Sequence, residues 1–394
     1  MVVLKIAMIG SRGLPSTSGG VEVVVEEIST RLICLGMDVT VFCRPHYTRK
    51  RPLTYKCIKL KYIPCINTKH FEAISHAFFC SIVAAFSSYD IVHYHSLGPS
   101  LMSWIPRIFG KKVVSTCHGL DWKRNKWGKI AKIMLILGEK FSSIFPHRTT
   151  VVSKVLQEYF KNNYYGNYKY IPNGVSLPDK IEDTSFLTKY GLEKNGYILF
   201  LSRIVPEKGL QYLIRAYKKI YTGKKLVIAG EHSHTESYFD EINILAKNDD
   251  RIIFTGNVFG KEKDQLFFNA FCFVLPSDIE GMPIVLLEAL AYGCVVLVSD
   301  IPVNKSIVEP VNGERYGYSF AAGNVNDLQE KLEYILDNSR KLYKTKTRLK
   351  YYVLKNFDWL VISKQYYNFY QALVLRKKRS FFGMLRGLIK SLKK

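Results

Sequence analysis

Val2-Val-Leu-Lys-Ile-Ala-Met-Ile-Gly10-Ser-Arg-Gly-Leu-Pro-Ser-Thr-Ser-Gly-Gly20-Val-Glu-Val-Val-Val-Glu-Glu-Ile-Ser-Thr-Arg-Leu32 opens the chain and decides its fold class. The β-branched run 2–9 reads as a strand, and a glycine-rich loop follows it. Val21, Val25, Ile28 and Leu32 then recur at helical spacing, with Gly36 placed to stop the helix. Strand, glycine loop and amphipathic helix in that order begin a parallel sheet with crossover helices. The rhythm continues with strands at 39–43, 91–95 and 113–117 and a helix near Ala73, so the first half reads as a doubly wound α/β domain. The opening run lacks a basic leader and a cleavage site, which favours a strand over a signal peptide.

A chain of 394 residues exceeds what one core usually organises, so two domains are expected. Ile171-Pro-Asn-Gly-Val175 and the polar stretch 178–195 punctuate the middle strongly. A second series of strands follows at 198–201, 226–229, 252–255, 271–275 and 295–298. Trp359, Ile362, Tyr366 and Phe369 then mark a helix over 357–375. The expected division is 1–172 and 173–355, a helix over 356–375, and a tail over 376–394.

Composition is that of a folded protein, 47% hydrophobic and 23% charged. The net charge of +24 points to an anionic partner. Eight of the Lys and Arg residues fall in the last 19 positions, 376–394, which hold no acid. There Phe381, Leu385, Leu388 and Leu392 recur at helical spacing among Arg386, Lys390, Lys393 and Lys394, the pattern of a short cationic amphipathic helix that engages an anionic membrane surface. The eight cysteines are scattered without zinc spacing and read as reduced thiols that mostly pack the core. The longest apolar stretch, 74–86, is too short to span a bilayer.

Doubly wound sheets bind ligands beyond the carboxyl ends of their strands. In the first half, 10–20 is a glycine loop at a helix start, suited to phosphate. It lacks G-x-G-x-x-G, and the second strand ends at Arg44 where a ribose-binding acid would stand, so a dinucleotide site is poorly supported. His118, in Thr116-Cys-His-Gly-Leu-Asp121-Trp122, ends a strand. His93 and His95 share one face of another, which suits packing or acceptor contact better than a metal pair. In the second half, Arg203 and Lys208 in Leu201-Ser-Arg-Ile-Val-Pro-Glu-Lys-Gly-Leu210 bring two cations to a strand end where a diphosphate fits. Pro276-Ser-Asp-Ile-Glu280-Gly-Met-Pro-Ile-Val-Leu-Leu-Glu288 follows another strand. There Gly281, Met282 and Pro283 form a turn expected to expose amides at a helix mouth, bracketed by Glu280 and Glu288.

Arg203, Lys208 and the Glu280/Glu288 pair, with Ile171-Pro-Asn-Gly-Val175, Phe254-Thr-Gly-Asn257 and the run 280–302, resemble the retaining glycosyltransferases of family 4. The resemblance extends to about Leu375. It implies the GT-B fold: two Rossmann-like domains facing a cleft, with a carboxyl-terminal helix returning to the amino-terminal, acceptor-binding domain. It also implies site residues. Arg203 and Lys208 bind the donor diphosphate and stabilise the leaving nucleotide, Glu288 takes the ribose hydroxyls, and Glu280 with Gly281, Met282 and Pro283 holds the donor sugar. Gly19 and Gly20 approach donor and acceptor, and His118 lies by the donor sugar. Asp121, Asn173 and Gly256 complete the expected substrate contacts. Similar enzymes work by front-face attack assisted by the donor phosphate. A covalent role for Glu280 is the weaker alternative. The chain has no Asp-x-Asp, so no metal or other cofactor is expected.

The signature Ser11-Arg-Gly-Leu-Pro with Gly19-Gly-Val-Glu22, together with His118-Gly-Leu-Asp-Trp and Lys126-Trp127, resembles a bacterial subgroup that builds surface polysaccharides and includes rhamnosyltransferases. Val21 replaces its usual aromatic. The expected partners are a dTDP-, UDP- or GDP-linked sugar, a lipid-linked oligosaccharide acceptor and the membrane, with no nucleic acid. The expected location is cytoplasmic, peripheral on the inner membrane face. Trp122-Lys-Arg-Asn-Lys-Trp127 and the helix beyond, with Ile130, Met134, Leu137 and Phe141, either guide the acceptor lipid or pack a core. The rivals are a sugar-nucleotide epimerase of the same architecture, a basic nucleic-acid-binding or membrane-binding protein and, least favoured, an NAD-dependent dehydrogenase.

Overall fold

The structure is a computed structural model that describes residues 3–375 apart from 17–18, 49, 69–70, 125–126, 179–180, 232–235, 311–312 and 339–345. The expected amphipathic tail and Lys126 lie outside the described residues. The chain divides into two compact units. One takes Met1–Gly174 together with the chain from Trp359, and the other takes Val175–Asp358.

The first unit holds β1 (Lys5–Ile9), β2 (Asp38–Cys43), β3 (Thr54–Tyr55), β4 (Ile58–Tyr62), β5 (Ile91–His95), β6 (Lys112–Cys117), β7 (Arg148–Val151) and β8 (Tyr168–Tyr170). They form one sheet in the order β3-β4-β2-β1-β5-β6-β7-β8. Neighbours run parallel except β3 and β4, which make an antiparallel hairpin at the edge. Ile6 of β1 lies between Val39 of β2 and Ile91 of β5. Such central strands are covered on both faces, which is why they read as unbroken apolar runs. The chain leaves β1 toward β2 and later returns to β5 on its other side, so the sheet reverses its winding between β1 and β5.

The second unit repeats the plan with β9 (Tyr197–Leu201), β10 (Lys225–Ala229), β11 (Ile252–Gly256), β12 (Cys272–Leu275), β13 (Val295–Ser299) and β14 (Tyr318–Phe320). Their order is β11-β10-β9-β12-β13-β14, all parallel, and its reversal falls between β9 and β12. Phe200, Leu213, Tyr217, Leu226 and Leu328 fill its core, each fully buried.

The helix expected over 357–375 begins two residues later, at Trp359, behind a helix the sequence reading did not place. Phe357 closes the helix Lys346–Phe357, Asp358 forms a parallel bridge with Val175, and a new helix, Trp359–Leu375, follows. The second helix packs on the helix Gly20–Cys34 of the first unit. All eight cysteines are unpaired. Five are buried, but Cys34 and Cys57 are exposed and so do not pack the core as expected. Among the described residues no helix is long and apolar enough to cross a membrane.

Candidate functional site

In the second unit the two loops at the reversal point meet. β9 runs into Ser202–Val205 and a 3-10 turn, Pro206–Lys208, before the helix Leu210–Tyr217. Gly209 caps that helix in the left-handed region, φ +69°, and a Cβ there would stand 2.0 Å from the Pro276 carbonyl oxygen. Only glycine lets the loop after β9 touch the loop after β12 so closely. Further bonds hold the β9 loop. Ser202 N donates to Ala229 O at 3.1 Å, Ile204 N to Glu231 O at 2.9 Å, and Asp278 N to Glu207 O at 3.0 Å.

On this frame Lys208 Nζ donates to Glu280 Oε1 at 2.5 Å, with the side chains 13% and 8% exposed. Arg203 stands five residues earlier on the same loop, partly exposed. Glu288, on the helix Ile284–Ala291, accepts from Lys263 Nζ at 2.7 Å. Asp278, on the loop after β12, has its carboxyl raised above the usual range by burial and by nearby Glu207. Lys208–Glu280 thus joins the loops after β9 and β12, which also carry Arg203, Glu207 and Asp278, and Lys263–Glu288 joins the helices Gly260–Asn269 and Ile284–Ala291 that precede and follow β12 in the chain. The arrangement can receive a diphosphate on the cations and hydroxyl groups on the carboxylates.

Gly281, Met282 and Pro283 are buried, so the turn expected to expose its amides is packed in. Its loop is drawn against the β9 loop at Gly209, and Pro283 is the cap ahead of a helix that starts at Ile284. Gly256 ends β11, two strands and roughly 10 Å across the sheet from β9.

Of the expected residues of the other unit, Gly19 and Gly20 fall at its own reversal point, past β1. The loop after β1 is bound back to the helix that follows it. Glu22 Oε1 accepts from Arg12 N at 3.1 Å and Arg12 Nε at 3.0 Å, and Glu26 Oε2 accepts from Ser16 N at 2.9 Å and Ser16 Oγ at 2.8 Å. Gly19 caps the helix at φ +96°, where a Cβ would meet Glu22 Oε2 at 2.4 Å, and Gly20 is the first helical residue. Buried Glu22 therefore supplies negative charge in the helix's first turn, where the sequence suggested a phosphate could bind. Asn173, 5% exposed, sits where the unit ends.

His118 follows β6, and its Nε2 lies 3.1 Å from Nδ1 of His95 at the end of β5. His93 is buried beneath, bonded to Tyr370 OH and Thr116 Oγ1, both at 2.6 Å. Burial lowers His118 to about 4 and His93 to about 3. It takes His95 well down too, helped by its two histidine neighbours. All three are neutral at pH 7. His95 Nε2 is buried with no partner, and a bare lone pair there is cheaper than an unsatisfied N–H. This assigns the proton to His95 Nδ1, which donates to His118 Nε2, and leaves Nδ1–H as the donor of the partly exposed His118.

Asp121 opens the 3-10 turn Asp121–Lys123 and pairs with Arg124 at 3.5 Å. Next to it Trp122 Nε1 donates to Glu139 Oε2 at 2.7 Å, while Tyr159 and Tyr164 hydroxyls donate to Oε1 at 2.8 and 2.7 Å. Glu139, 1% exposed, thus anchors the loop carrying His118. Sequence reading missed Glu139 and Lys263. A single acid within an apolar helix, Ile-Leu-Gly-Glu139, was the available signal for the first, and nothing local marked the second. Among the described residues one trio has metal-ligand atoms within 4.8 Å of one another: His46, Cys65 and Glu72. Its Glu72 Oε1 already takes His46 Nε2 at 2.6 Å and Arg44 Nη1 at 3.0 Å, so the trio reads as an ion-pair cluster.

Residues 18–178 match the family described as Glycosyltransferase Family 4, and residues 184–355 match Glycosyl transferases group 1. The chain is a glycosyltransferase. It is 26% identical to an uncharacterized glycosyltransferase of Methanocaldococcus jannaschii, over 93% of this chain and 98% of that one. It is also 26% identical to the N-acetylgalactosamine-N,N'-diacetylbacillosaminyl-diphospho-undecaprenol 4-alpha-N-acetylgalactosaminyltransferase of Campylobacter jejuni, over 68% of this chain and 72% of that one. Among solved structures, Anabaena HepE in complex with UDP and glucose superposes with a TM-score of 0.78, at 17% identity, over 94% of this glycosyltransferase and all of that chain. The fold is GT-B, and the domain matches decide against the epimerase and nucleic-acid readings.

Proposed function

We propose that this glycosyltransferase moves a hexose or deoxyhexose, rhamnose among the candidates, from a dTDP-, UDP- or GDP-linked sugar to a lipid-linked saccharide acceptor in surface-polysaccharide synthesis. The observation that carries the donor half is the buried Lys208–Glu280 pair, 2.5 Å apart, at the reversal point of its sheet. The lipid-linked acceptor is supported by the undecaprenol-linked substrate in the name of the Campylobacter relative.

The reaction follows from the side chains. Lys208 and Arg203 receive the diphosphate, and Glu288, oriented by Lys263, accepts from ribose hydroxyls. Glu280, beside the buried 281–283 turn, takes the sugar. The acceptor oxygen attacks C1 on the face the phosphate leaves, so configuration is retained. The C1–O bond breaks, the acceptor proton passes to the departing phosphate oxygen, and the two cations stabilise the charge that remains. They do this work without a divalent cation. A covalent step on Glu280 is less favoured, because its carboxylate is held in an ion pair with Lys208, which lowers its nucleophilicity. His118 offers its neutral N–H to a sugar hydroxyl, and Gly19, Gly20, Asp121, Asn173 and Gly256 serve the remaining substrate contacts. The enzyme acts at the inner face of the membrane, where its acceptor lies.

The test is a thermal-shift screen of nucleoside-diphosphate sugars, followed by transfer assays with the selected donor and a synthetic polyprenyl-diphosphate saccharide. NMR of the product anomer must show retention, and EDTA must leave the rate unchanged. If Arg203→Ala, Lys208→Ala and Glu288→Gln all keep wild-type donor affinity and turnover, the proposal fails.

A further inference from the structure

The helix Lys129–Ile144 is turned inside out. Its buried side carries Gly138, Glu139 and Ser142, whereas Ile130, Ile133 and Ile136 are 77%, 58% and 44% exposed. Gly138 is what seats it, since a Cβ there would stand 2.2 Å from Leu97 O, and Glu139 bonds inward to Trp122 and two tyrosines. A helix meeting only water does the reverse. The helix packs on Leu97–Ser100, which in turn packs on Glu72–Ala85, and that helix meets Trp104–Ile108. Their outer surface continues the apolar character. Phe86 is 73% and Phe109 49% exposed, their rings 4.6 Å apart.

The same stretch is strongly basic. Between Leu97 and Ile144 stand nine Lys or Arg and two acids. Of the acids, Asp121 is engaged by Arg124 and Glu139 is buried. At about 3.6 residues per turn, Lys129 and Lys140 share the side of the exposed isoleucines. Apolar side chains ringed by cations match an anionic bilayer, whose headgroups take the charge and whose acyl boundary takes the isoleucines and phenylalanines. A second copy of this chain would bring an equally basic face against it in a two-fold contact and be repelled.

We propose that this helical face of the first unit docks on an anionic lipid surface, independently of the segment 376–394 and of which sugar is transferred. The experiment uses the full chain with phosphatidylglycerol vesicles and phosphatidylcholine vesicles. Wild type is expected to float with the former, and Ile130→Glu/Ile133→Glu to partition roughly tenfold less with unchanged circular dichroism and unchanged nucleotide binding. Phosphatidylglycerol with brominated acyl chains is expected to quench tryptophan fluorescence in wild type and clearly less in Trp104→Phe, because Trp104 lies on this face. Partition within about twofold of wild type for the double variant, or no bromine quenching from Trp104, overturns the proposal. So does a lipid-free dimer, seen by light scattering, that the double variant dissociates. Because nucleotide binding is measured on the same variant, failure of docking is separable from failure of the donor reading.

Discussion

Replacing Lys208 with alanine removes one partner of an ion pair whose side chains are 13% and 8% exposed. Breaking a buried pair from one side costs about 3–5 kcal/mol, because the surviving charge has no compensation. The residual exposure of Glu280 puts this site near the lower end, at about 3 kcal/mol, which for a domain of this size lowers Tm by roughly 6–12 °C. Donor affinity falls for a separate reason. One charge-assisted hydrogen bond to a diphosphate is lost, worth about 1.5–3 kcal/mol, or roughly 10- to 150-fold in Kd. The double variant Lys208→Ala/Glu280→Ala separates the two effects. With no orphan carboxylate it regains most of the Tm, but with no cation its nucleotide affinity stays low. Differential scanning fluorimetry and isothermal titration calorimetry read both quantities. If the double variant recovers nucleotide affinity along with stability, Lys208 is a structural cation and its assignment to the diphosphate is wrong.

Other outcomes follow from the same geometry. His118 is held neutral, about 4 against the ordinary 6.5, so the unfolded state binds the extra proton between those values. Stability is therefore complete above about pH 6.5 and falls as pH drops toward 4, and His118→Gln lowers the slope of urea-derived stability against pH by about 1.4 kcal/mol per pH unit in that window. An unchanged slope would refute the burial of a neutral His118. His95→Phe, which cannot donate to His118 Nε2, lowers kcat/KM severalfold, on the order of one neutral hydrogen bond, whereas His95→Asn restores a donor near Nδ1 and recovers most of it. Equal rates for the two variants would remove His95 from its positioning role. Glu139→Gln sets an amide donor among three donors and costs about 2 kcal/mol, or roughly 4–8 °C in Tm, measured by thermal unfolding.

The two sheets were legible because their central strands are buried on both faces and so announce themselves as apolar runs; Ile91–His95 was read to the residue. Most of the strands that escaped are marginal, although Arg148–Val151, buried and paired on both sides, escaped too. Ile58–Tyr62 alternates buried and exposed, Tyr168–Tyr170 has only three residues with a lysine in the middle, and Tyr318–Phe320 is a short edge. Arg203, Lys208 and Glu280 were legible because they lie just past β9 and β12, where position in sequence implies position in space, and Glu288 because it lies on the helix that follows. What was not legible arises between elements distant in sequence. Lys263 reaches Glu288 from another helix, and Asp358 breaks a helical period by pairing with Val175. The stripe of Ile130 and Leu137, open between core and lipid contact in the sequence, faces outward because Gly138 and Glu139 hold the opposite side.

The central claim is that the loops after β9 and β12 bind the diphosphate of a nucleotide sugar. Titration of dTDP, UDP and GDP, each beside its unphosphorylated nucleoside, into wild type and Arg203→Ala/Lys208→Ala tests it by calorimetry. At least one diphosphate is expected to bind with a Kd between about 1 μM and 1 mM, its nucleoside far more weakly, and the double variant to lose on the order of 100-fold for the diphosphate alone. Equal affinity of wild type and double variant, with the variant folded, would contradict it.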